Sequence, residues 1–558
     1  METNASFSND LAENYNAEIL NARAIVHFRP SSDWKGQGYG FDWMRTGDYK
    51  KHIVADPQKY GLGDVPYRDI VKSQFRENSG IDPGASPGNE IDESLLVSGT
   101  NAFYGIFYQD KRALNNFREL EKKYNYRRIA CKDPQEQVDN CGHYHCAWLS
   151  LYPETSATLS LLIEITDDEV KPIHFVVKGS SKEKGEEYLT IKRLDEGKMD
   201  KLTKGFHKFE DILTIKCIKE FNEDKVIEVY HGPIENNHQA GFLYIWANSE
   251  RKKLNILFVN VHSGASKFPE LDFDEMNHYF KQAYIEIDQT NTINLTLTEA
   301  DAGIYFCQYE ATNSTTGKKE IKDGLVASRT GSSSDSNEPY KSLIEYLNER
   351  DEVKNLPDKE KYLILYCADK DTCAENMRNP ESPQYYPFGG GYSKQYHAII
   401  VPPSISMSSL THEILHALGL NHSFSNRTVL GTYNPIINNP NALFTYDALT
   451  TDNIMDYSDA GYTKKSIYRD AGDFVKLVNE NNVVIDSNPR KLNESGFYSI
   501  KVTTLQYTLW KWQWEIANSN ISRDGTIIKE TPKTENKESE NSETKNQKTK
   551  KKEKNKKK

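Results

Sequence analysis

The 558-residue sequence has no long apolar run. Its longest apolar stretches, such as LNILFVNV from residue 254, have the length of a β-strand, whereas a helix that spans a bilayer needs roughly 18 or more apolar residues. The first twenty residues also lack a basic flank followed by an apolar core, so they do not read as a Sec signal peptide. We therefore predict no transmembrane segment and no ordinary Sec-dependent secretion.

Cysteine is also scarce, and basic residues are fewer than acidic ones. Seven cysteines in so long a chain do not make a disulfide framework, and their odd number leaves at least one thiol unpaired. Cys367 and Cys373 could pair locally, and the redox compartment stays open. The formal net charge is -11 although the C-terminal end is rich in lysine, so the body of the chain is acidic. An acidic body does not favour nucleic acid, and we expect no nucleic-acid partner.

One stretch carries chemistry: residues 411–422 read THEILHALGLNH. On a helix, His412 and His416 share one face, and their imidazoles can reach a single ion. Glu413 lies between them in sequence, where a base can touch the attacking water without being a metal ligand. Gly419 can adopt the left-handed conformation that ends a helix, so that His422 turns back to the same ion. Three imidazoles that leave one position to water predict a catalytic zinc site.

The pattern H-E-x-x-H-x-x-G-x-x-H resembles the zinc signature of the metzincin metalloproteases. A bare H-E-x-x-H also occurs in helices without a metal, but residues 453–458 read NIMDYS and place Met455 where the family has a methionine turn. In some branches a tyrosine two residues later approaches the zinc and can stabilise the oxyanion, and Tyr457 holds that position. Ser423 is matrixin-like, whereas Leu415 departs from the matrixins and the turn favours pappalysin-type or astacin-like branches. The subfamily therefore stays open.

This resemblance implies a zinc endopeptidase that hydrolyses a protein or peptide substrate. One Zn²⁺ per chain would be held by His412, His416 and His422, with Glu413 as the general base. Three carboxylates near the methionine turn could hold Ca²⁺ or simply be solvated: Asp452, Asp456 and Asp459.

The resemblance also predicts how the substrate binds. From residue 250 the patterns of strand, helix, strand, helix, strand, strand and zinc helix follow the order of the metzincin upper subdomain. The strand just before the zinc helix should be an exposed sheet edge that pairs with an extended peptide. We predict this edge at His397, Ala398, Ile399 and Ile400.

The rest of the chain predicts several units. Apolar runs separated by charged turns between residues 147 and 233 indicate an antiparallel β-sandwich. The fold class is thus multidomain, with a β-rich, sandwich-like N-terminal half, an α+β metzincin-type catalytic domain and a lysine-rich tail. The predicted units are a loose N-terminus (1–20), a β-containing domain (21–146), a β-sandwich-like domain (147–248), the zinc protease domain (250–490), a small β appendage (491–521) and a disordered tail (522–558).

The sequence CGHYHC at residues 141–146 offers a second set of metal ligands: Cys141, His143, His145 and Cys146. On a strand, both histidines would point to one face and the two cysteines to opposite faces. This segment is therefore either a metal site or an ordinary strand.

The stretch that begins at residue 22 is faintly similar to the N-terminal regions of bacterial effectors that use a contact-dependent, type VI-like secretion route. That similarity implies synthesis in a bacterial cytoplasm, export by a non-Sec route and a secretion-apparatus partner for the N-terminal half. One alternative function is therefore an exported effector or surface-binding module whose zinc domain is degenerate or acts on a non-standard substrate. In another, the N-terminal half is an inhibitory prosegment with a cysteine such as Cys217 on the zinc.

Overall fold

The structure is a computed structural model, and it describes residues 19–20, 23–43, 122–129, 143–178, 187–236, 238–264, 267–298, 301, 305–312, 318–330, 342–376, 384–388, 391–393, 397–420, 453–455, 463–465, 477–478, 484–486, 497–499 and 507–528. These residues are rich in β-strand and contain few helices. None of the helices among them is long and apolar enough to cross a membrane.

Two packed β-sheets make up the N-terminal half. Across the first sheet, which is antiparallel, the strands are β2 (Ala24–Pro30), β7 (Ser156–Ile165), β10 (Gly205–Cys217) and β9 (Leu189–Arg193). Across the second they are β3 (Gly40–Asp42), β6 (Ala147–Ser150), β12 (Gln239–Ile245), β11 (Lys225–His231) and β8 (Ile173–Lys178), with only β6 and β12 parallel. A small sheet joins β1 (Ile19–Leu20), β4 (Arg127–Ile129) and β5 (His143–Tyr144). Short 3₁₀ turns lie at Lys198–Lys201 and Ile234–Asn236.

Apolar side chains from both sheets form one core. Val26 of β2, Leu161 of β7 and Leu243 of β12 are all buried in it. The antiparallel strands predicted between residues 147 and 233 are present. However, β2 and β3 pair with β7 and β6, so the boundary predicted at residue 147 does not separate two domains.

A five-stranded sheet organises the C-terminal half. Across it lie β14 (Ile285–Thr296), β13 (Lys252–His262), β17 (Leu363–Ala368), β21 (Ala398–Val401) and β20 (Gly391–Ser393), all parallel except β20. Helix α1 (Phe273–Lys281) links β13 to β14, and helix α4 (Met407–Ala417) follows β21. Three short elements precede β17: α2 (Leu343–Glu349), the one-turn α3 (Asp351–Lys354) and a 3₁₀ turn at Lys359–Lys361. The parallel strands of this sheet and the helices thus follow the order predicted from residue 250 to α4. Side-chain oxygens of Asp272, Ser342 and Ser406 cap α1, α2 and α4 by accepting a backbone N–H from the first turn.

A second sheet of four strands is inserted into this order. Its strands are β15 (Phe306–Thr312), β16 (Lys319–Thr330), β18 (Thr372–Asn376) and β19 (Gln384–Phe388), in this order across the sheet. Cys307 of β15 and Cys373 of β18 form a disulfide. The local pairing of Cys367 with Cys373 was therefore wrong, because Cys367 is a free, buried thiol on β17. Burial raises the pKa of Cys367 to about 12.

The small β appendage predicted for residues 491–521 is not what the structure shows. In that range β25 (Phe497–Ser499) pairs with β22 (Thr463–Lys465), but residues 511–519 form helix α5 (Lys511–Ser519). Ile521 and Ile527 then form a bridge, so a disordered tail does not begin at residue 522. The remaining strands are β23 (Leu477–Val478) and β24 (Val484–Asp486), which pair with each other. Residues 529–558 and 1–18 lie outside the described part of the chain.

Helix α5 lies between the two halves. Trp512 and Trp514 are at most 2% exposed and belong to the same core as helix α4. Lys511 is also buried, with its ammonium group 4.3 Å from the ring centroid of Trp148 and 5.1 Å from that of Trp246. Trp148 lies on β6 and Trp246 directly follows β12, so α5 contacts both the N-terminal and the C-terminal half.

Candidate functional site

Helix α4 carries the first two predicted zinc ligands and begins at Met407, four residues before the motif at residues 411–422. Its end follows the prediction: Gly419 has φ 84°, in the left-handed region. The N–H of Gly419 donates to the carbonyl of His416, and the N–H of Leu420 donates to that of Leu415. This pair of hydrogen bonds is the Schellman motif, which turns the chain away from the helix axis. The glycine therefore has the role that its position predicted.

His412 and His416 face each other at the C-terminal end of α4. Their ring centroids are 4.6 Å apart, and the ring planes are nearly perpendicular, at 89°. His412 is 7% exposed, whereas His416 and Glu413 are half-buried. The two imidazoles thus lie within reach of one ion, and the carboxylate lies on the same helix with access to solvent.

Backbone carbonyls fix the orientation of both rings. Nδ1 of His412 lies 2.7 Å from the carbonyl oxygen of Ile454, and Nδ1 of His416 lies 2.7 Å from that of Leu420. A carbonyl oxygen only accepts, so each Nδ1 carries the proton and each Nε2 has the lone pair. Metal-binding histidines typically show this arrangement, with one nitrogen donating to a carbonyl and the other available to the metal.

Burial also keeps the first imidazole uncharged. Burial and, to a smaller extent, the neighbouring His416 lower the pKa of His412 to about 3, while the hydrogen bond to the carbonyl of Ile454 opposes this shift in part. A neutral imidazole is the form that binds a metal. The ring therefore needs to lose no proton before it coordinates an ion at neutral pH.

The methionine-turn segment contacts the first histidine directly. Ile454, whose carbonyl accepts from His412, is followed by Met455, which is fully buried in the same core as α4. The N–H of Met455 donates to Oδ1 of Asn453 at 2.9 Å. The structure thus brings together two motifs that are about forty residues apart in sequence.

The other predicted site residues near the helix lie outside the described residues. These are His422, Tyr457 and the three candidate calcium ligands Asp452, Asp456 and Asp459. Among the residues that the structure describes, no three His, Cys, Asp or Glu side chains are grouped as a metal site requires. His412 and His416 fit zinc in their tautomers and their spacing, and the third position depends on His422.

The substrate-edge prediction was wrong by one strand. His397 precedes β21, and Ala398, Ile399 and Ile400 belong to it; all three are buried, and β21 lies between β17 and β20. A strand with neighbours on both sides has no free main chain to pair with a peptide. In the described part of the sheet, the strand at this edge is β20, residues 391–393, which pairs only with β21.

The segment CGHYHC supplies no second metal site among the described residues. The thiol of Cys146 donates to the carbonyl of Asn125 at 3.0 Å, and burial lowers the pKa of His145 to about 3. Both side chains lie inside the N-terminal half. Cys141 and the side chain of His143 lie outside the described residues.

The structure does not support Cys217 as an inhibitory zinc ligand. This thiol is fully buried in the core of the sandwich. It donates to the carbonyl of Lys219, and the amide of Asn248 donates to its sulfur, each at 3.3 Å. Burial raises the pKa of Cys217, so the group stays a thiol in the sandwich core.

Sequence reasoning missed the polar residues that hydrogen-bond to the methionine-turn segment and to the end of α4. Asn453 and Gln513 are both fully buried and hydrogen-bond each other through their amides. Asn520, at the end of α5, donates to the carbonyl of Leu418 at the end of α4. The only sequence signal was the presence of amides within tryptophan-rich or apolar stretches, which predicts buried polar contacts but not their partners.

Comparison with known proteins gives no relative: no protein-family model matches the chain, and no curated protein sequence matches it at a significant level.

Proposed function

We propose that this protein is a zinc-dependent endopeptidase of the metzincin type. One arrangement supports this function more than any other. The imidazoles of His412 and His416 lie close together, each donates its Nδ1 proton to a backbone carbonyl, and one of these carbonyls belongs to the residue before Met455. Two independent sequence motifs therefore meet at one point, as a zinc site above a methionine turn requires.

The zinc ion would be held by Nε2 of His412 and of His416, together with His422. When bound, the zinc would lower the pKa of a water molecule and polarise the carbonyl of the scissile peptide bond. Glu413 would take the proton from the attacking water and deliver it to the leaving amine. Tyr457 would donate a hydrogen bond to the developing oxyanion.

The sheet supplies a place for the peptide. We place the substrate strand beside β20 rather than β21, because β20 has only one strand partner among the described residues. An extended peptide would pair with it main chain to main chain, and sequence selectivity would come from alternate side chains.

The test uses the full chain, because residues 507–527 belong to the core around α4. Glu413→Ala and His416→Ala are compared with the unchanged protein for zinc content and for hydrolysis of casein. We expect Glu413→Ala to keep about one zinc per chain and to lose about 10²–10⁴-fold in hydrolysis rate, the range expected for a general base. His416→Ala should lose the zinc as well.

Ser409→Ala is the matched control, because Ser409 is exposed on the same helix and is not a proposed ligand or base. It should keep both zinc and activity. Casein hydrolysis by Glu413→Ala at the rate of the unchanged protein would refute the mechanism, and a purified chain without zinc affinity would refute the function.

A further inference from the structure

The methionine-turn segment is held by a pair of buried amides. Nδ2 of Asn453 donates to Oε1 of Gln513 at 2.7 Å, and Nε2 of Gln513 donates back to Oδ1 of Asn453 at 3.2 Å. The same Oδ1 accepts the N–H of Met455 at 2.9 Å. Both amide side chains are 0% exposed. Gln513 thus contacts the turn through Asn453, whose side chain also fixes the backbone at Met455.

Gln513 also fixes the start of helix α5. Its Oε1 accepts the backbone N–H of Trp510 at 2.9 Å, a contact that satisfies a donor at the helix N-terminus. Just before the helix, Thr508 and Asn453 form a β-bridge, and the N–H of Ile454 donates to the carbonyl of Thr508 at 2.9 Å. The turn and the beginning of α5 are therefore one hydrogen-bonded unit.

This hydrogen-bonded unit also contacts the imidazole of His412. Ile454 receives a hydrogen bond from His412 on its carbonyl and donates its N–H to Thr508. Any shift of residues 453–455 would move the carbonyl that sets the orientation and tautomer of the His412 ring. Hydrogen-bond partners of a metal ligand influence metal affinity in this way, typically by about 10–100-fold.

We infer that Gln513 is a positioning residue for the metal centre: through Asn453 it holds the Ile454 carbonyl that orients His412. This inference rests on the proposed zinc site and adds a role for a helix 60 residues beyond Asn453. Apolar packing alone would bury the turn, but only directed hydrogen bonds fix where its carbonyl points.

Gln513→Met tests this role, because methionine keeps the length of the side chain and removes every hydrogen bond. Zinc affinity of the full chain is measured by competition with a chromophoric chelator, and the visible absorption of the Co²⁺-loaded protein reports the coordination geometry. We expect the zinc dissociation constant to rise about 10–100-fold. The Co²⁺ spectrum should change as well.

Asn518→Leu is the matched control. Asn518 is a buried amide on the same helix, but its Nδ2 donates to the carbonyls of Glu250 and Ala283 and not to the turn. This variant should lose stability while its zinc dissociation constant stays within twofold of the unchanged protein. Gln513→Glu keeps an oxygen for Asn453 and for the helix start, so its affinity should lie between those of the unchanged protein and Gln513→Met.

Two results would overturn the inference: a zinc dissociation constant of Gln513→Met within twofold of the unchanged protein, or an equal weakening by Asn518→Leu. If Gln513→Met does not fold, Gln513→Glu decides, and unchanged affinity in that variant overturns the inference. Failure of the unchanged chain to bind zinc would instead reject the proposed function, and this inference with it.

Discussion

A chain that ends at residue 506 should not fold its C-terminal half. Residues 507–527 help to fill the core around helix α4: Leu509, Trp510 and Trp514 are 0% exposed, and Trp512 is 2% exposed. Trp514 also stacks on Trp246, with ring centroids 6.0 Å apart. Removal of residues 507–527 would expose apolar side chains of α4 and of the parallel sheet that now pack against them.

The magnitude follows from the three tryptophans. Replacement of one buried tryptophan by alanine costs about 3–5 kcal/mol, so the loss of three costs about 9–15 kcal/mol before the other residues are considered. Whole domains are stable by only about 5–15 kcal/mol. We therefore expect Trp514→Ala to weaken the fold and the truncation to abolish it in the C-terminal half.

Two measurements check this prediction: urea unfolding, monitored by far-UV circular dichroism, and limited proteolysis. A chain that ends at residue 528 is the control, because it keeps all of these residues, and it should unfold at the same urea concentration as the full chain. The same unfolding midpoint for the chain that ends at residue 506 would show that α5 is not part of the core.

Three further predictions follow from single contacts. Peptide mapping without reductant should find Cys307 linked to Cys373, and dithiothreitol should lower the stability by about 2–4 kcal/mol, measured by urea unfolding. Gly419→Ala should cost at least about 1–2 kcal/mol in the same assay, because φ is 84° and the new Cβ would lie 2.5 Å from Nδ2 of Asn520; an unchanged midpoint would contradict this account of the helix end. Because burial lowers the pKa of His145 from 6.5 to about 3, the unfolded chain binds a proton in this window that the folded chain does not, so the stability should fall as the pH drops from 6.5 towards 3. Replacing His145 with phenylalanine should reduce this pH dependence in unfolding measurements at pH 7, 5 and 4.

The local features of the site could be predicted from the sequence because each depends on residues close together in the chain. The spacing of His412 and His416 sets their shared helix face, and Gly419 adopts the left-handed conformation at the helix end without strain. The order of the parallel strands and of the helices from residue 250 was also visible, because buried parallel strands tend to appear as continuous apolar runs, but the four strands of the inserted sheet were not predicted.

The sequence predictions failed where polar side chains or a whole strand are buried in the protein. Trp510, Trp512 and Trp514 alternate with polar residues, a period typical of a strand, yet Trp510 is the N-cap of a helix in which the polar residues of the first turn are buried as well. The continuous apolar run AIIV at residues 398–401 was itself a signal of a central strand, and the edge was misassigned because the resemblance placed it there. Contacts such as the one between Asn453 and Gln513 join residues far apart in sequence and have no local signature.

The contacts between the halves argue against an N-terminal half that is released on activation. Tyr284, directly before β14, is 0% exposed; its hydroxyl donates to the carbonyl of Trp246 and accepts the N–H of Leu151. On the other side, the buried carboxylate of Asp42 accepts the N–H of Lys511 at 2.8 Å. Cleavage near residue 250 would leave these contacts in place, and separation would expose a buried carboxylate, a buried ammonium group and their aromatic neighbours to water. Because the halves share a buried interface with helix α5, which in turn holds the methionine turn, the N-terminal half is part of the framework that shapes the proposed metal centre.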